Sequence, residues 1–176
     1  MTDELEILFD RQAIASRVAE LAGRISADYK GKDLVLICIL KAAVVFTADL
    51  LRELTVPACV EFIEAKSYGA STTSSGKVVI RQGLNVNVAG KHVLLVDTII
   101  DTGETMRTLL ERFQEQRPAS IDIVALLDKE SRRTAKVPVA YRGFTIPDLF
   151  VVGYGMDCGG KYRNLPDIVA LHASEE

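Results

Sequence analysis

The stretch HVLLVDTIIDTGETM, residues 92–106, contains residue types that could bind a phosphorylated sugar. Gly103 lets the backbone turn tightly before a predicted helix, so the amides from Asp101 to Thr105 can point into one concavity. Backbone N–H groups at a helix N-terminus bind phosphate without any basic side chain. The hydroxyl of Thr102 and that of Thr105 can add further donors. The loop therefore predicts a phosphate cradle.

The same stretch carries three carboxylates, those of Asp97, Asp101 and Glu104, and neither lysine nor arginine. Carboxylates accept hydrogen bonds, and a phosphorylated sugar has hydroxyl donors a short distance from its phosphate. Carboxylates would also stabilise a cationic transition state nearby. We therefore expect amides to bind the phosphate and acids to bind the sugar. The Gly-Lys-Ser/Thr element of a P-loop and the three-glycine spacing of a dinucleotide site are both missing from this stretch.

A purely local role is also open for two of these acids. Asp101 as N-cap and Glu104 at the third helical position would form a capping box. This alternative does not account for Asp97, or for the two isoleucines that separate Asp97 from Asp101.

Strand-like and helix-like patterns alternate along the chain, which predicts an α/β fold with a parallel sheet and right-handed crossovers. LVLICIL at 34–40 is a continuous branched run, typical of a strand buried on both faces. The other predicted strands are 58–68, 78–82, 92–96, 121–127 and 149–154; helices are predicted at 10–29, at 42–54 and after the cradle, and 69–77 is predicted to be a loop.

Charged residues follow four of the predicted strands. Ligands in parallel sheets bind at the carboxyl ends of the strands. A charge where a strand ends in solvent is ordinary, and at any single position that is the simpler interpretation. Four such ends together favour a binding site. The residues concerned are Lys41; Asp97 with the loop through Thr105; Asp128 with Lys129; and Asp157 with Lys161 and Arg163.

Composition excludes several classes of function. The 176 residues, 48% of them hydrophobic, suit one domain over 1–176 with a buried core. A net charge of −3 predicts no nucleic-acid or membrane partner. The acidic N-terminus and the absence of a long apolar run predict a cytoplasmic protein. Cys38 and Cys59 lie in apolar runs and are expected to be reduced packing residues.

Five segments, taken in order, resemble the signature segments of the hypoxanthine-guanine phosphoribosyltransferases, which are type I phosphoribosyltransferases. That family transfers ribose 5-phosphate from phosphoribosyl pyrophosphate to a 6-oxopurine, with magnesium present. The resemblance implies a twisted, mostly parallel sheet flanked by helices, with a small hood and a mobile active-site loop. The segments are ILKAAVVFTADLL (39–51), AKSYG (65–69), VLLVDTIIDTGETM (93–106), VALLDK (124–129) and IPDLFVVGYGMDCGGKYRNLP (146–166).

The resemblance assigns the pyrophosphate side of the site. Lys41 resembles the lysine that meets pyrophosphate after a cis peptide bond with Leu40, and Ala42 follows it. Ser67 and Tyr68 begin the loop that closes over the site, which keeps water from an oxocarbenium-like centre.

The resemblance also assigns the purine side. Asp101 matches the residue that faces N7 of the purine and can accept a proton there. Lys129 matches the donor to the exocyclic oxygen at position 6. Phe150 is expected to stack on the base, with the backbone of Val151 at its edge and Leu149 adjacent. Taken alone, Phe150 is more often a core aromatic, and Lys129 is more often solvated.

Ribose, phosphate and metal are assigned to the remaining matched positions. Asp157 matches a magnesium ligand and Arg163 a pyrophosphate contact, although an isolated arginine is more often solvated. Asp97 is assigned both to ribose and to magnesium. The other substrate-binding positions are Thr98, Ile99, Ile100, Thr102, Gly103, Glu104 and Thr105.

The sequence departs from the family pattern at three places. Thr98 replaces the second of two adjacent acids, and is expected to bond a ribose hydroxyl without charge. Ala42 replaces the usual glycine. Cys158 and two glycines replace a tyrosine, an asparagine and an acid, while Asp157 and Arg163 keep their spacing.

Two alternatives to a hypoxanthine-guanine enzyme stay open at this point. One is a relative selective for xanthine or another base. The other is a regulatory protein that keeps the fold, senses nucleotides and binds RNA or DNA. A repressor would need an added DNA-binding domain, for which there is no room before residue 10, and an attenuator would need a basic RNA-binding face. The family commonly forms dimers or tetramers, so a homodimer or homotetramer is expected.

Overall fold

The continuous apolar runs of the sequence form the central strands of the larger of two sheets. The computed structural model describes residues 4–67, 78–80 and 87–172. The strands are β1 (Glu4–Phe9), β2 (Leu34–Leu40), β3 (Ala58–Ser67), β4 (Val78–Ile80), β5 (His92–Ile100), β6 (Ser120–Asp128), β7 (Tyr141–Thr145), β8 (Val151–Val152) and β9 (Ile168–His172). The helices are α1 (Arg11–Asp28), α2 (Val44–Glu53) and α3 (Glu104–Gln114), with a short 3₁₀ turn at Glu130–Arg132.

The larger sheet has the strand order β4-β3-β2-β5-β6-β7. Strands β3, β2, β5, β6 and β7 run parallel, and β4 pairs with β3 antiparallel. This is the predicted mostly parallel α/β sheet, and its order makes β2, β5 and β6 neighbours. Their carboxyl ends therefore meet along one edge.

The two faces of the larger sheet bury separate apolar clusters. Side chains alternate along a strand, so Leu36 and Leu94 face one cluster while Ile37 and Leu95 face the other. Helices α1 and α2 cover the first face, and α3 covers the second with Met106, Leu109 and Phe113. Because helices pack on both faces, the sheet is held in place, and so are the strand ends at which the site is expected.

The smaller sheet is antiparallel, in the order β1-β9-β8. Its register pairs Glu4 with His172 and Val151 with Ala170, so the two ends of the described chain lie side by side. This sheet carries Phe150, which directly precedes β8, and holds it beside the larger sheet.

Several local predictions differ from the structure. The strand predicted at 149–154 is limited to β8, because Gly153 (φ +91°) and Tyr154 (φ +48°) turn the chain. Strand β5 continues to Ile100, four residues beyond the predicted end. The predicted burial of Cys38 is confirmed, but that of Cys59 is wrong, since Cys59 is exposed. The predicted loop 69–77 and residues 81–82 lie outside the described residues.

Among the described residues, no helix has both the length and the apolar character needed to cross a membrane.

Candidate active site

The phosphate cradle predicted after β5 is formed by a turn at Gly103. Gly103 has φ +87° and is the N-cap of α3, which begins at Glu104. A Cβ at this glycine would lie 2.8 Å from the carbonyl oxygen of Ala135, so both the backbone angle and the space require glycine. The first-turn amides of α3 lack intrahelical partners, and helix N-termini of this kind bind anions.

The capping-box alternative for Asp101 is wrong. Residue 103, not 101, is the N-cap, and the amide of Glu104 donates to Oγ1 of Thr102 at 3.4 Å and not to Asp101. Glu104 is the first helical residue and not the third. Asp101 is therefore free to bond elsewhere.

Glu104 is neutralised although it lies at the mouth of the cradle. Its Oε2 accepts from Arg107 at 2.5 Å (Nη2) and 3.1 Å (Nε), and its Oε1 accepts from the hydroxyl of Thr134 at 3.2 Å. The hydrogen bond from Arg107 lowers the pKa of Glu104. A phosphate approaching the amides thus meets an ion pair and not a lone carboxylate.

Asp97 and Thr98 both lie within β5, which continues to Ile100. Burial raises the pKa of Asp97 to about 7, although the amides of Thr98 and Ile99 bond its carboxylate and lower that pKa. Thr98 is fully buried, and its Oγ1 finds no hydrogen-bond partner among the described residues. The expected bond from Thr98 to a ribose hydroxyl stays a prediction, and in this structure the hydroxyl that would make it is buried. Ile100 is likewise buried and can offer only its backbone.

Lys129 and Asp101 lie across the site from each other at the ends of β6 and β5. Nζ of Lys129 is 3.8 Å from Oδ2 of Asp101 and 3.4 Å from Oδ1 of Asp148. The Lys129 side chain is only 8% exposed, so the solvated interpretation is wrong. Its stem is packed while its ammonium faces two carboxylates.

Arg132 and Asp148 complete a charged network that the sequence patterns did not single out. Nε of Arg132 donates to Oδ1 of Asp101 at 2.8 Å, and Nη1 donates to Oδ2 of Asp148 at 2.9 Å. The Arg132 hydrogen bond is the main cause that lowers the pKa of Asp148, with Lys129 adding to it. Proximity in sequence could have indicated both residues, since Arg132 is three residues after Lys129 and Asp148 is two residues before Phe150.

Asp128, the other charge at the end of β6, has a structural role. It is fully buried and pairs with Arg133 and with Arg142, whose Nε is 2.7 Å from Oδ2. Two guanidinium groups pair with this buried carboxylate, although its Oδ2 and Nε of Arg142 lack hydrogen-bond geometry, and its burial keeps it from a ligand.

Phe150 is 56% exposed, so its interpretation as a core aromatic is wrong. The neighbouring Val151 is buried within β8, and Leu149 packs partly against the core. The phenyl ring thus presents a free face, held by a rigid strand behind it.

The loop after β8 packs directly on the residue after Lys41. A Cβ at Gly155 would lie 2.3 Å from the carbonyl oxygen of Ala42. Arg163 donates to the carbonyl oxygen of Gly155 at 2.6 Å and pairs with Asp157 at 2.6 Å. The peptide bond between Leu40 and Lys41 is cis. These contacts bring together the four residues assigned to pyrophosphate and metal, which are Lys41, Ala42, Asp157 and Arg163.

Ser67 ends β3, and Tyr68, with the rest of the predicted closing loop, lies outside the described residues. Within the described ranges, no group of three or more His, Cys, Asp or Glu side chains could hold a metal ion by itself.

Comparison with known proteins identifies the family. A model of the phosphoribosyl transferase domain matches residues 4–158. The hypoxanthine phosphoribosyltransferase of Escherichia coli K12 is 42% identical over 170 residues, which cover 96% of this chain and 96% of the relative. The hypoxanthine-guanine-xanthine phosphoribosyltransferase of Tritrichomonas foetus is 40% identical over 176 residues, with 99% and 96% coverage. A crystal structure of a hypoxanthine-guanine phosphoribosyltransferase from Bacillus anthracis superposes with a TM-score of 0.90 at 38% identity, covering 98% of this chain and 100% of that one.

The chain belongs to the hypoxanthine-guanine phosphoribosyltransferase family. This confirms the family, the enzyme class and the fold expected from the five sequence segments. The cradle and the Lys129–Asp101 pair lie where β5 and β6 end, at one edge of the larger sheet.

Proposed function

We propose that this protein salvages purines by transferring the 5-phosphoribosyl group of phosphoribosyl pyrophosphate to hypoxanthine and guanine. The products are IMP or GMP and pyrophosphate. The observation that carries the proposal is the donor–acceptor pair formed by Nζ of Lys129 and Oδ2 of Asp101, 3.8 Å apart at the sheet edge. The names of the relatives support the same substrates.

The Lys129–Asp101 pair fits one edge of a 6-oxopurine. Such a base carries O6 and N7 side by side on that edge. Lysine is a donor with no acceptor, so it suits O6 and leaves the amino group of adenine unpaired. The carboxylate of Asp101 suits a protonated N7. Stacking on the exposed face of Phe150 would fix the plane of the base.

Proton transfer follows from this placement. As N9 bonds to C1′ of the ribose and the bond from C1′ to pyrophosphate breaks, the base must lose one proton. Oδ2 of Asp101 accepts that proton from N7. The Asp97 carboxyl lies on β5, four residues before Asp101, and would accept a hydrogen bond from a ribose hydroxyl.

The two anionic groups of the sugar donor have separate places. The amides between Asp101 and Thr105, with the hydroxyls of Thr102 and Thr105, would bind the 5-phosphate. Lys41, the backbone of Ala42 and Arg163 would bind pyrophosphate. Ser67 and Tyr68 are proposed to bind substrate at the start of the closing loop.

Magnesium fits this arrangement as a cofactor shared with the substrate. Mg²⁺ in proteins is commonly held by one or two carboxylates together with phosphate oxygens. Asp157 and Asp97 supply single carboxylates of that kind, so they would hold it. When bound, the ion neutralises charge on the departing pyrophosphate. In the free protein the Arg163 guanidinium occupies Asp157 Oδ1 at 2.6 Å.

The test is a panel of bases, comprising hypoxanthine, guanine, xanthine and adenine, each assayed for nucleotide formation with phosphoribosyl pyrophosphate and magnesium. Turnover of hypoxanthine or guanine, with adenine poor, is the expected result. Efficient use of adenine with inert hypoxanthine would contradict the proposal. Preference for xanthine would favour the selective relative, and nucleotide binding without turnover would favour the regulatory protein.

A single domain over 1–176, assembly as a homodimer or homotetramer, and a cytoplasmic location stay predictions. Size-exclusion chromatography with light scattering would measure the assembly.

A further inference from the structure

Arg132 lies in the purine side of the site, yet it is not part of the donor–acceptor pair that would meet the base. It ends the 3₁₀ turn that follows Lys129, and this turn is fixed to the cradle through the main chain. The amide of Lys129 donates to the carbonyl of Ile100 at 3.0 Å, and the amide of Arg132 donates to the carbonyl of Lys129 at 3.0 Å. The amides of Thr134 and Ala135 both bond the carbonyl of Thr102.

From this anchored turn, the Arg132 side chain reaches Asp101. Nε donates to Oδ1 of Asp101 at 2.8 Å while Nη1 donates to Asp148 at 2.9 Å. A planar guanidinium with two fixed partners orients both of them, which a single flexible ammonium cannot do. The Asp101 carboxylate thereby has one oxygen occupied, and its other oxygen, Oδ2, faces Lys129.

We propose that Arg132 is a positioning residue that holds Asp101 Oδ1, so that Oδ2 meets N7 of the purine while Lys129 meets O6. The proposal rests on the proposed function, since it gives Arg132 an effect only through the N7 contact. Arg132 does not touch the base. Asp148 anchors the far side of the guanidinium, and it also approaches Lys129.

A surface ion pair without function is the competing explanation. Arg132 is 45% exposed and Asp101 44%, and exposed pairs contribute little to folding. Both explanations therefore predict that Arg132→Gln keeps its melting temperature within a few degrees. They differ in turnover. Loss of a hydrogen bond to a charged group, or misplacement of a catalytic group, lowers kcat/KM by roughly 10- to 100-fold.

The experiment is a double-mutant cycle on steady-state turnover of hypoxanthine, using wild type, Arg132→Gln, Asp101→Asn and the double variant. If Arg132 acts through Asp101, the two losses are not additive, and Arg132→Gln has almost no further effect once Asp101 is Asn. KM for phosphoribosyl pyrophosphate should be little changed by Arg132→Gln. Arg132→Lys keeps the positive charge but lacks the planar guanidinium that bonds two partners at once, so its kcat should lie between wild type and Arg132→Gln.

Arg17→Gln is the matched control. Arg17 is 38% exposed and pairs with Glu20 at 2.7 Å on α1, outside the site, so its loss should leave kcat unchanged. Additive losses in the cycle, or full turnover by Arg132→Gln in an active enzyme, would overturn the role of Arg132 alone. A wild type that forms no nucleotide from any 6-oxopurine would overturn the proposed function, and this inference with it.

Discussion

Gly155 packs against the carbonyl oxygen of Ala42 so closely that a Cβ at Gly155 would lie 2.3 Å from it. This contact joins the loop that carries Asp157 and Arg163 to the turn that carries Lys41. The proposed pyrophosphate site is therefore assembled from two distant segments by a contact that only glycine allows. Gly155 also has φ +95°, a conformation that L side chains rarely adopt.

Replacing Gly155 tests that assembly. Gly155→Ala should destabilise the protein by about 2–5 kcal/mol, from overpacking against backbone and from the left-handed backbone together. It should also raise KM for phosphoribosyl pyrophosphate, since Lys41 and Arg163 would separate. Thermal melting and steady-state kinetics measure the two effects.

Gly160 provides the matched control for that substitution. It has φ +83° in the same loop, but a Cβ there would meet nothing within 4 Å. Gly160→Ala should therefore cost only the backbone strain, about 1–2 kcal/mol. Equal destabilisation by the two alanines would show that the approach to Ala42 does not matter.

Asp101→Asn separates the proton acceptor from the other roles of this residue. Asparagine can still accept from Arg132 but cannot take the proton of N7. Because α3 is capped at Gly103, the change should leave the melting temperature within a few degrees. We expect turnover of hypoxanthine to fall by roughly 10²- to 10⁴-fold, as for general acid–base groups. Unchanged turnover in a folded, nucleotide-binding variant would remove Asp101 from the chemistry.

The sequence predicted the elements whose signal is local. The cores of β2, β5 and β6 are continuous runs of apolar residues, and such runs are buried wherever the sheet forms. Strands β1 and β9 were not predicted. Their pairing joins Glu4 to His172, and a local sequence pattern contains no information about a partner so far away in the chain. These strands also have exposed apolar residues, such as Ile7, so apolar and polar residues do not alternate regularly along them as the prediction of a strand requires.

The site was predictable to the same extent. The rule for strand ends found Lys41, Asp97 and Lys129, because it depends only on where apolar runs stop. It ended the strand at Val96 and so left Thr98 in a loop, whereas the strand continues and the Thr98 side chain is buried. Arg132 was missed because its bond to Asp101 spans 31 positions and arises only when β5 and β6 pair.

Asp157→Asn tests the assignment of magnesium. Hard cations select charged oxygen ligands, so the amide should raise the magnesium concentration needed for half-maximal rate. The amide keeps an oxygen that can accept from Gly160, as Oδ2 of Asp157 does now at 2.8 Å, so the loop should fold normally. Glu20→Gln, at an exposed carboxylate on α1, is the control and should leave the magnesium curve in place. An unchanged curve for Asp157→Asn would show that magnesium is held elsewhere.

Asp97→Asn makes a prediction about pH that has a definite sign. Burial raises the folded-state pKa of Asp97 from 3.8 to about 7, so the folded protein binds this proton more tightly than the unfolded chain does. Stability then falls as pH rises from the unfolded value through the folded one, and the full cost is present above that range. Asparagine carries no such cost. In magnesium-free buffer the variant should therefore melt several degrees above wild type at pH 8. The gain should shrink as pH falls to 5, while turnover drops because the amide lacks the charge proposed to hold magnesium. Melting temperatures of both proteins from pH 5 to 8 provide the measurement, and a gain that is equal at both ends of that range would show that the Asp97 carboxyl does not titrate there.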